Sequence, residues 1–259
     1  MMSRMNRRIP TALALAALLA TLGSVPIASP AQVAVTAMLP DLAVLAPYDF
    51  RIQITSTGRR LLRFTTVVVN IGTGPFQLYG YDEDGVATRG DSLLVRQQIL
   101  QSDGTFRTRN TTSKMAWADD GHNHFHVLDL QQIKIQNLKA ITIRNSAKTG
   151  FCFLDSYWYG SSKPSRYNAA NSVCLVAPNK TVPMGISVRW GDIYKSTIAF
   201  QWIDITGMAN GDYLIKIIAD PPYFTGGRFL ESNEVNNRGW AKVRLTRTTV
   251  TVLTRSARP

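Results

Sequence analysis

Charge, cysteine and histidine are all scarce in this sequence. Only 18% of its 259 residues are charged, and it contains two cysteines and three histidines. Because 45% of the residues are hydrophobic, the low hydrophobicity and high net charge that keep chains disordered are excluded. The composition therefore predicts one globular domain with a substantial core.

Acidic residues are scarcer than basic ones. The chain has 17 Asp and Glu against 29 Lys and Arg, a net charge of +12. Such an excess is typical of proteins that bind nucleic acid, an anionic surface or a polyanion. The basic residues are dispersed here and form no long run, so the charge gives little support to a nucleic-acid partner.

The N-terminal segment has the features of a secretory signal peptide. Three arginines precede an uncharged stretch rich in Ala and Leu over residues 9–22, and small residues lead to a cleavage site after Ala31. We therefore expect residues 1–31 to be a signal peptide and residues 32–259 to be the mature domain.

Removal of this segment leaves no expected membrane span. The apolar stretch is short and is soon followed by Pro26 and Pro30, which makes a retained N-terminal anchor the less favoured alternative. Cleavage removes three arginines and no acid, so the mature charge is 26 − 17 = +9. The pair Arg7-Arg8 is compatible with twin-arginine export but does not distinguish it from the general route.

Cys152 and Cys174 are the only cysteines. An exported domain matures in an oxidising compartment, which favours a disulfide between them. Two buried thiols and two thiolate metal ligands are the alternatives. The second is disfavoured because the residues do not form a CxxC-type pair.

Beyond residue 31, helical periodicity is rare and alternation with period two is common. Stretches rich in Val, Ile and Thr end at Gly, Asn, Asp or Pro, which is typical of strands. We predict strands at residues 60–69, 131–143 with a break near Asn137, 213–219, and 240–253. Long functional loops are predicted at residues 82–90 and 160–181. The predicted fold class is all-β, an antiparallel β-sandwich with long functional loops and little helix.

His122, His124 and His126 are the only histidines and occupy alternate positions. Alternate side chains of a strand share a face, and three imidazoles on one face make a metal site. The outer Cα atoms of a straight strand would lie about 13 Å apart, so a shared ion requires a bend, which Gly121 would help. Imidazole alone does not choose among copper, zinc, iron and nickel.

The segment around these histidines, DDGHNHFHVLD, resembles the copper-binding segment of the lysyl oxidase family, where an aspartate follows three alternate histidines. Further segments match in the family's order: LPDL at 39–42, GRRLLRFTTVVVNIGTGPF at 58–76, KTGFCFLD at 148–155, DIYKSTIAFQWIDIT at 192–206, then NGDYLIKIIADP and ESNEVNN. The resemblance extends from Leu39 to about Gly239. It implies a copper-dependent amine oxidase.

The resemblance also implies an organic cofactor, lysine tyrosylquinone, made from two side chains of the protein. Lys148 and Tyr194 fall on the family's cofactor lysine and tyrosine. Copper and oxygen can oxidise a phenol to an ortho-quinone, and a neutral lysine amine can add to that ring. Partial burial near a metal would favour the neutral form of Lys148. The finished cofactor would act as electrophile and electron sink.

Amine oxidation also needs a general base near the metal and the cofactor. Asp129, three residues after His126, falls on the aspartate that follows the family's histidines, and the resemblance implies this role for it. Its odd offset from His126 would put it on the opposite face of a continued strand. Asp120 is the competing candidate.

The segment ESNEVNN, residues 231–237, offers carboxylate and amide oxygens that suit a hard cation. The resemblance implies a calcium site with these ligands: Asp41, the backbone oxygen of Leu42, Glu231, Asn233, Asn236 and Asn237. Asn233 stands where the family has an aspartate, which removes a negative charge and would weaken binding. A hydrogen-bonded turn that joins the two chain ends without a metal is the alternative.

These features predict a secreted, extracellular copper-dependent oxidase that converts primary amines and oxygen to aldehyde, ammonia and hydrogen peroxide. The expected substrate is the lysine ε-amine of a protein, or a small amine or diamine. A non-catalytic metal-binding β-sandwich and an unrelated mononuclear metalloenzyme are the alternatives. We expect no nucleic-acid partner, and the positive charge would hold the exported protein on an anionic cell wall. The segment over residues 82–115 is least like the family, and we expect a loop there that selects the substrate.

Overall fold

The computed structural model describes residues 34–118, 121–221 and 228–259. The predicted signal peptide lies outside these ranges. In chain order the described strands are β1 (Ala37–Met38), β2 (Leu42–Val44), β3 (Tyr48–Ile54), β4 (Arg60–Asn70), β5 (Phe76–Tyr81), β6 (Ser92–Gln101), β7 (Phe106–Trp117), β8 (Phe125–Leu128), β9 (Gln131–Gln136), β10 (Thr142–Asn145), β11 (Gly150–Phe151), β12 (Tyr157–Trp158), β13 (Val182–Ile186), β14 (Trp190–Tyr194), β15 (Trp202–Asp204), β16 (Gly211–Ala219), β17 (Arg238–Leu245) and β18 (Val250–Arg255). A 3₁₀ turn at Ala169–Asn171 precedes β13. Among the described residues, no helix has the length and apolar character needed to span a membrane.

The strands form three antiparallel sheets, so the predicted all-β fold is confirmed. The first sheet has the order β11-β8-β7-β6-β5-β13, with β1 added to β6. The second has the order β10-β9-β16-β17-β18. In the third, β4 is the central strand and pairs with β14 and β15 as well as with β2 and β3. The first sheet carries β8, which contains His126, and the third carries β14, which contains Tyr194.

The core joins all three sheets. Ten of the eleven residues of β4 are buried, because other strands pair along its whole length. Phe64 of β4, Leu78 of β5 and Ile215 of β16 are fully buried in one hydrophobic cluster. Strand β4 reads as a nearly continuous apolar run since neither of its faces meets solvent.

The predicted strand at residues 60–69 is confirmed as β4, and that at 213–219 lies within β16. The stretch at 131–143 divides into β9 and β10, with its break near Asn137 as predicted. The stretch at 240–253 was predicted as one strand, but it forms β17 and β18 joined by a tight turn at residues 246–249. Threonine hydroxyls supply hydrogen bonds in this turn. Threonine is also common in strands, so the run of β-branched residues gave no sign of a turn.

The prediction of a loop over residues 82–115 is wrong for most of that segment. Only its start is a loop, and the rest is the hairpin of β6 and β7. Strand β7 is rich in Thr and Arg, and half of its residues are exposed, so it lacks the apolar alternation by which half-buried strands are recognised. Its pairing to β6 and β8 makes it a strand despite that composition.

Candidate metal and cofactor site

The three histidines converge. Their possible ligand nitrogens all lie within 4.8 Å of one another, and the Nε2 atoms of His124 and His126 are 3.0 Å apart. Such separations suit donors on one ion, since an imidazole nitrogen binds a metal at about 2.0 to 2.1 Å. His126 is buried, whereas His122 and His124 are partly exposed. The cluster therefore fits a transition metal.

The bend that the spacing required lies before the strand. Only His126 belongs to β8, where it pairs with Ala116 of β7, while His122 and His124 lie in the turn before that strand. Gly121 and Asn123 both have positive φ angles, of 88° and 54°. Glycine and asparagine are the residues that tolerate this conformation best. The resulting turn folds the first two imidazoles back toward His126.

Strand β11 fixes the position of His126 from the other side. Gly150 pairs with Leu128 of β8, and it lies so close to His126 that a Cβ at residue 150 would meet the ring. The glycine thus permits the close approach of β11 to the histidine. Lys148 lies two residues before Gly150, which brings the predicted cofactor lysine next to the metal cluster.

Lys148 and Tyr194 are brought together. The Lys148 Nζ atom lies 5.2 Å from the centre of the Tyr194 ring and 5.4 Å from that of Phe151. Both Lys148 and Tyr194 are buried. Tyr194 ends β14, where it pairs with Thr66 of β4, while Lys148 comes from the loop before β11. The pair is therefore formed across two sheets.

The phenol of Tyr194 is held in a defined orientation. Its hydroxyl donates a hydrogen bond of 2.7 Å to the carbonyl of Cys152, and its ring packs edge-on against Phe151 with centroids 5.1 Å apart. Burial, followed by the adjacent Asp192, raises the pKa of Tyr194 well above its usual value. The phenol is consequently a neutral hydrogen-bond donor at physiological pH.

The predicted disulfide between Cys152 and Cys174 is confirmed. It connects the two halves of the site through backbone hydrogen bonds. The Cys152 carbonyl accepts the Tyr194 hydroxyl, and the Cys174 carbonyl accepts the amide of Phe125, which lies between two of the histidines. The bridge therefore ties the loop over residues 160–181 to both the tyrosine and the metal cluster.

Asp192 is a site residue that the sequence analysis missed. It lies on β14, two residues before Tyr194, and is 2% exposed. Burial raises the pKa of Asp192 to about 7, opposed by Ser156, Tyr194 and Lys148. Its i, i+2 spacing from Tyr194 was available as a signal for a shared face, but nothing in the sequence distinguished it from other acids.

A cleft of about 330 Å³ leads to the site. His126 and Lys148 lie in its lining, and its remaining walls are mainly small or apolar: Ala116, Trp117, Ala118, Leu128, Ala147, Thr149, Gly150 and Phe200. Phe200 is 45% exposed. The cleft thus combines mainly small or apolar walls with His126 of the histidine cluster and with Lys148.

Asp129 follows β8 with a φ of 58°, so the strand does not continue through it. Its carboxylate is well exposed and forms an ion pair of 3.3 Å with Arg228. It borders a second cleft, of about 400 Å³, which shares Lys148 and Thr149 with the first. The competing candidate Asp120 lies outside the described residues.

Most of the predicted calcium ligands lie close together, where the segment at residues 231–237 contacts Asp41 and Leu42. Glu231 accepts hydrogen bonds from the Leu42 amide and from Asn237, and Asn236 donates to Asp41 at 2.7 Å. The side-chain oxygen of Asn233 instead accepts the amide of Val235 in a turn.

Two further acids join Glu231 in this region. The carboxylate oxygens of Asp220, Glu231 and Glu234 lie within 4.8 Å of one another, and burial raises the pKa of Asp220 to about 6. Within the described residues, the buried Oδ1 atoms of Asn236 and Asn237 have no hydrogen-bond partner. Clustered carboxylates and orphaned amide oxygens fit a hard cation. Glu234 was visible within ESNEVNN, but Asp220 carried no local signal.

Comparison with known proteins gives a consistent family assignment. The lysyl oxidase family profile matches residues 79–254. Lysyl oxidase homolog 2 of Gallus gallus is 28% identical over 194 residues, which cover 74% of this chain and 19% of that protein. Lysyl oxidase homolog 3A of Danio rerio is 27% identical over 181 residues, 69% of this chain and 18% of that protein. The chain thus spans about a fifth of the length of these relatives. On the family match and the geometry that accompanies it, this chain belongs to the lysyl oxidase family.

Proposed function

We propose that this chain is a secreted, copper-dependent amine oxidase that makes lysine tyrosylquinone from Lys148 and Tyr194. The observation that carries the proposal is the buried pair, with the lysine amine 5.2 Å from the tyrosine ring. In the reaction, a primary amine, oxygen and water give an aldehyde, ammonia and hydrogen peroxide. Family membership supports the coarser activity, a copper-dependent amine oxidase.

His122, His124 and His126 are the proposed copper ligands. Imidazole is a good ligand for copper, and three protein ligands leave coordination positions open, as in catalytic metal centres. Because Gly150 backs His126 and the turn at Asn123 orients the other two rings, the protein holds this donor set in place.

Lysine tyrosylquinone would supply an electrophilic carbonyl and accept the electrons that the amine loses. Lys148 contributes the nitrogen of the cross-link and Tyr194 contributes the ring. The hydrogen bond to Cys152 and the contact with Phe151 limit rotation of the tyrosine side chain. The lysine amine therefore needs to move only a few ångströms to reach a ring carbon.

The proposed substrate is a primary amine on an alkyl chain, either a peptidyl-lysine of a protein or a small amine or diamine. Leu128, Trp117 and Phe200 would cover the methylene groups and exclude water from them. Each buried methylene is worth about 0.8 kcal/mol. Such walls favour substrates whose amine is carried by several methylenes.

Asp129 remains our proposed general base for turnover. Its place between Arg228 and the cleft that contains Lys148 supports this role. A substrate whose α-carbon lies at the junction of the two clefts would come near it.

We propose calcium as the occupant of the cluster around Glu231. Asp220 and Glu234 add carboxylates to the ligands that the sequence suggested, which would offset the charge lost at Asn233. A cation there would neutralise three neighbouring acids and join β2 to the segment before β17.

Cleavage after Ala31 and secretion to the extracellular side are part of the same proposal. The disulfide supports maturation in an oxidising compartment. The remaining charge of +9, from 26 − 17, would favour contact with an anionic cell wall. This contact is tested by washing isolated envelopes with salt, which should release the protein.

The test of the enzymatic proposal is mass analysis of the full chain matured with copper in air. A covalent link between the peptides that contain Lys148 and Tyr194 is expected, together with amine-dependent peroxide release. Lys148→Arg and Tyr194→Phe should lose both, while Lys139→Arg, a change at an exposed lysine, should lose neither. Copper-loaded, air-exposed protein with unlinked peptides would overturn the proposal and favour a non-catalytic metal-binding protein.

A further inference from the structure

Asp192 is a buried carboxylate near the proposed cofactor pair, and the proposed reaction gives it no role. It shares a face of β14 with Tyr194, and attraction to Lys148 and interaction with Tyr194 both act on its charge. An ionisable group in such a place is costly to bury unless it is paired or used.

Among the residues that the structure describes, one carboxylate oxygen of Asp192 accepts a hydrogen bond and the other does not. Ser156 donates a hydrogen bond of 2.6 Å to Oδ1, and the Ser156 oxygen in turn accepts the amide of Ile193 at 2.9 Å. Within the described residues, Oδ2 is buried and accepts no hydrogen bond. The carboxylate is thus oriented by Ser156 and keeps an acceptor position.

The neighbouring lysine must be neutral to react. A lysine ammonium has no lone pair, so Lys148 must lose a proton before its nitrogen can bond to the tyrosine ring. One proton transfer between a buried ammonium and a buried carboxylate removes both charges, which avoids the cost of keeping two ions out of water.

We propose that Asp192 accepts the proton that Lys148 loses when the cross-link to Tyr194 forms. One N–H bond of Lys148 breaks and one O–H bond forms at Asp192. No electron moves, and the pair passes from one positive and one negative charge to two neutral groups. This inference rests on the proposed cofactor and extends it to the formation of that cofactor.

Among the described residues, the other groups near the lysine are poorly suited as proton acceptors. Tyr194 stays protonated, because burial raises its pKa well above the usual value. Cys152 is in a disulfide. Asp129 is exposed and paired with Arg228. The groups that act on the charge of Asp192 are Ser156, Tyr194 and Lys148, together with the Ile193 amide.

The experiment follows cross-link formation in the full chain with copper and air, by peptide mass analysis, from about pH 6 to pH 10. We expect Asp192→Asn to cross-link at least about tenfold more slowly than wild type near pH 7, with recovery at high pH where water removes the lysine proton. The pH midpoint of the rate should rise by at least about one unit, which corresponds to tenfold. Asp212→Asn, which removes an ion-paired carboxylate on β16, is the control and should match wild type.

A purely structural role would slow cross-linking at every pH, so an Asp192→Asn defect without alkaline recovery would overturn the inference. A wild-type rate and pH profile in that variant would also do so. Should Asp192→Asn fail to fold, Ser156→Ala serves instead. It removes a hydrogen bond that favours the carboxylate, so the pH midpoint of cross-linking should rise, and an unchanged midpoint contradicts the role.

Failure of the two proposals is distinguishable. If wild-type protein forms no link between Lys148 and Tyr194, the proposed cofactor is absent and the function itself is wrong. If wild type forms the link and Asp192→Asn forms it equally well, only the role of Asp192 is wrong.

Discussion

Gly150 lies against the ring of His126, and a Cβ built at Gly150 would come within 2.9 Å of the His126 Nδ1 atom and 2.8 Å of its Cβ. The pairing of β11 with β8 fixes both backbones, so the imidazole cannot retreat without moving a strand. Glycine at residue 150 therefore allows His126 to occupy its place in the histidine cluster.

Gly150→Ala should weaken copper binding. The added methyl displaces His126 from the other two imidazoles, and we expect affinity to fall by at least about tenfold, the lower end of what supporting contacts contribute to metal sites. Competition titration of the metal-free chain measures it. Gly90→Ala is the matched control, because a Cβ there meets nothing within 4 Å. Equal affinities in the two variants would contradict the prediction.

Replacing Cys152 and Cys174 together with serine should destabilise the protein by about 3 kcal/mol, as expected for a loop of this length. Urea unfolding measures the loss. We also expect slower cross-linking, because the carbonyls of both cysteines hold parts of the site. A stability loss without any effect on cross-linking would separate the fold-stabilising role from positioning.

Asp155→Ala should cost at least about 3 kcal/mol. The buried carboxylate accepts the amides of Arg166, Tyr167 and Ser187 and the Ser187 hydroxyl, and alanine would deprive the Tyr167 and Ser187 amides of this acceptor. Glu83→Ala, in the exposed loop after β5, should change stability by less than about 0.5 kcal/mol. Chemical unfolding compares the two, and similar losses would refute the argument.

Calcium should raise the midpoint of thermal unfolding of the wild-type chain, since a ligand that binds only the folded state stabilises it. Glu231→Gln should abolish most of the increase because it removes the central carboxylate of the cluster. Glu83→Gln removes an exposed acid instead and should retain the full response. An equal calcium response in all three proteins would argue for the metal-free, hydrogen-bonded turn.

The stability of the metal-free protein should depend on the titration of Asp192. Burial raises the pKa of Asp192 to about 7 from 3.8, so the folded state holds the proton more tightly than the unfolded state. Its contribution is complete below about pH 4 and is lost as the pH rises through about 7, by up to about 4 kcal/mol. Urea unfolding at several pH values should reveal this slope in wild type and its absence in Asp192→Asn.

Local sequence patterns predicted much of the fold, because the alternation of side chains along a strand depends on which of its faces is buried. Alternating β-branched residues identified β4 and β16, and the break near Asn137 separated β9 from β10. The same signals missed β7, whose exposed threonines and arginines resemble a loop, and joined β17 to β18. In both cases the partner strands, rather than the segment's own composition, determine the structure.

The histidine cluster follows from local sequence, since the three imidazoles lie within five residues and turns at Gly121 and Asn123 bring them together. Two cysteines in an exported chain favoured a disulfide with only one possible pairing, and the structure contains it. Tertiary packing brings Lys148 to Tyr194 and Asp220 to Glu231, and it buries Asp192 within the electrostatic reach of Lys148. These contacts depend on how separate sheets pack, and the spacing of residues along a chain does not encode distances between sheets.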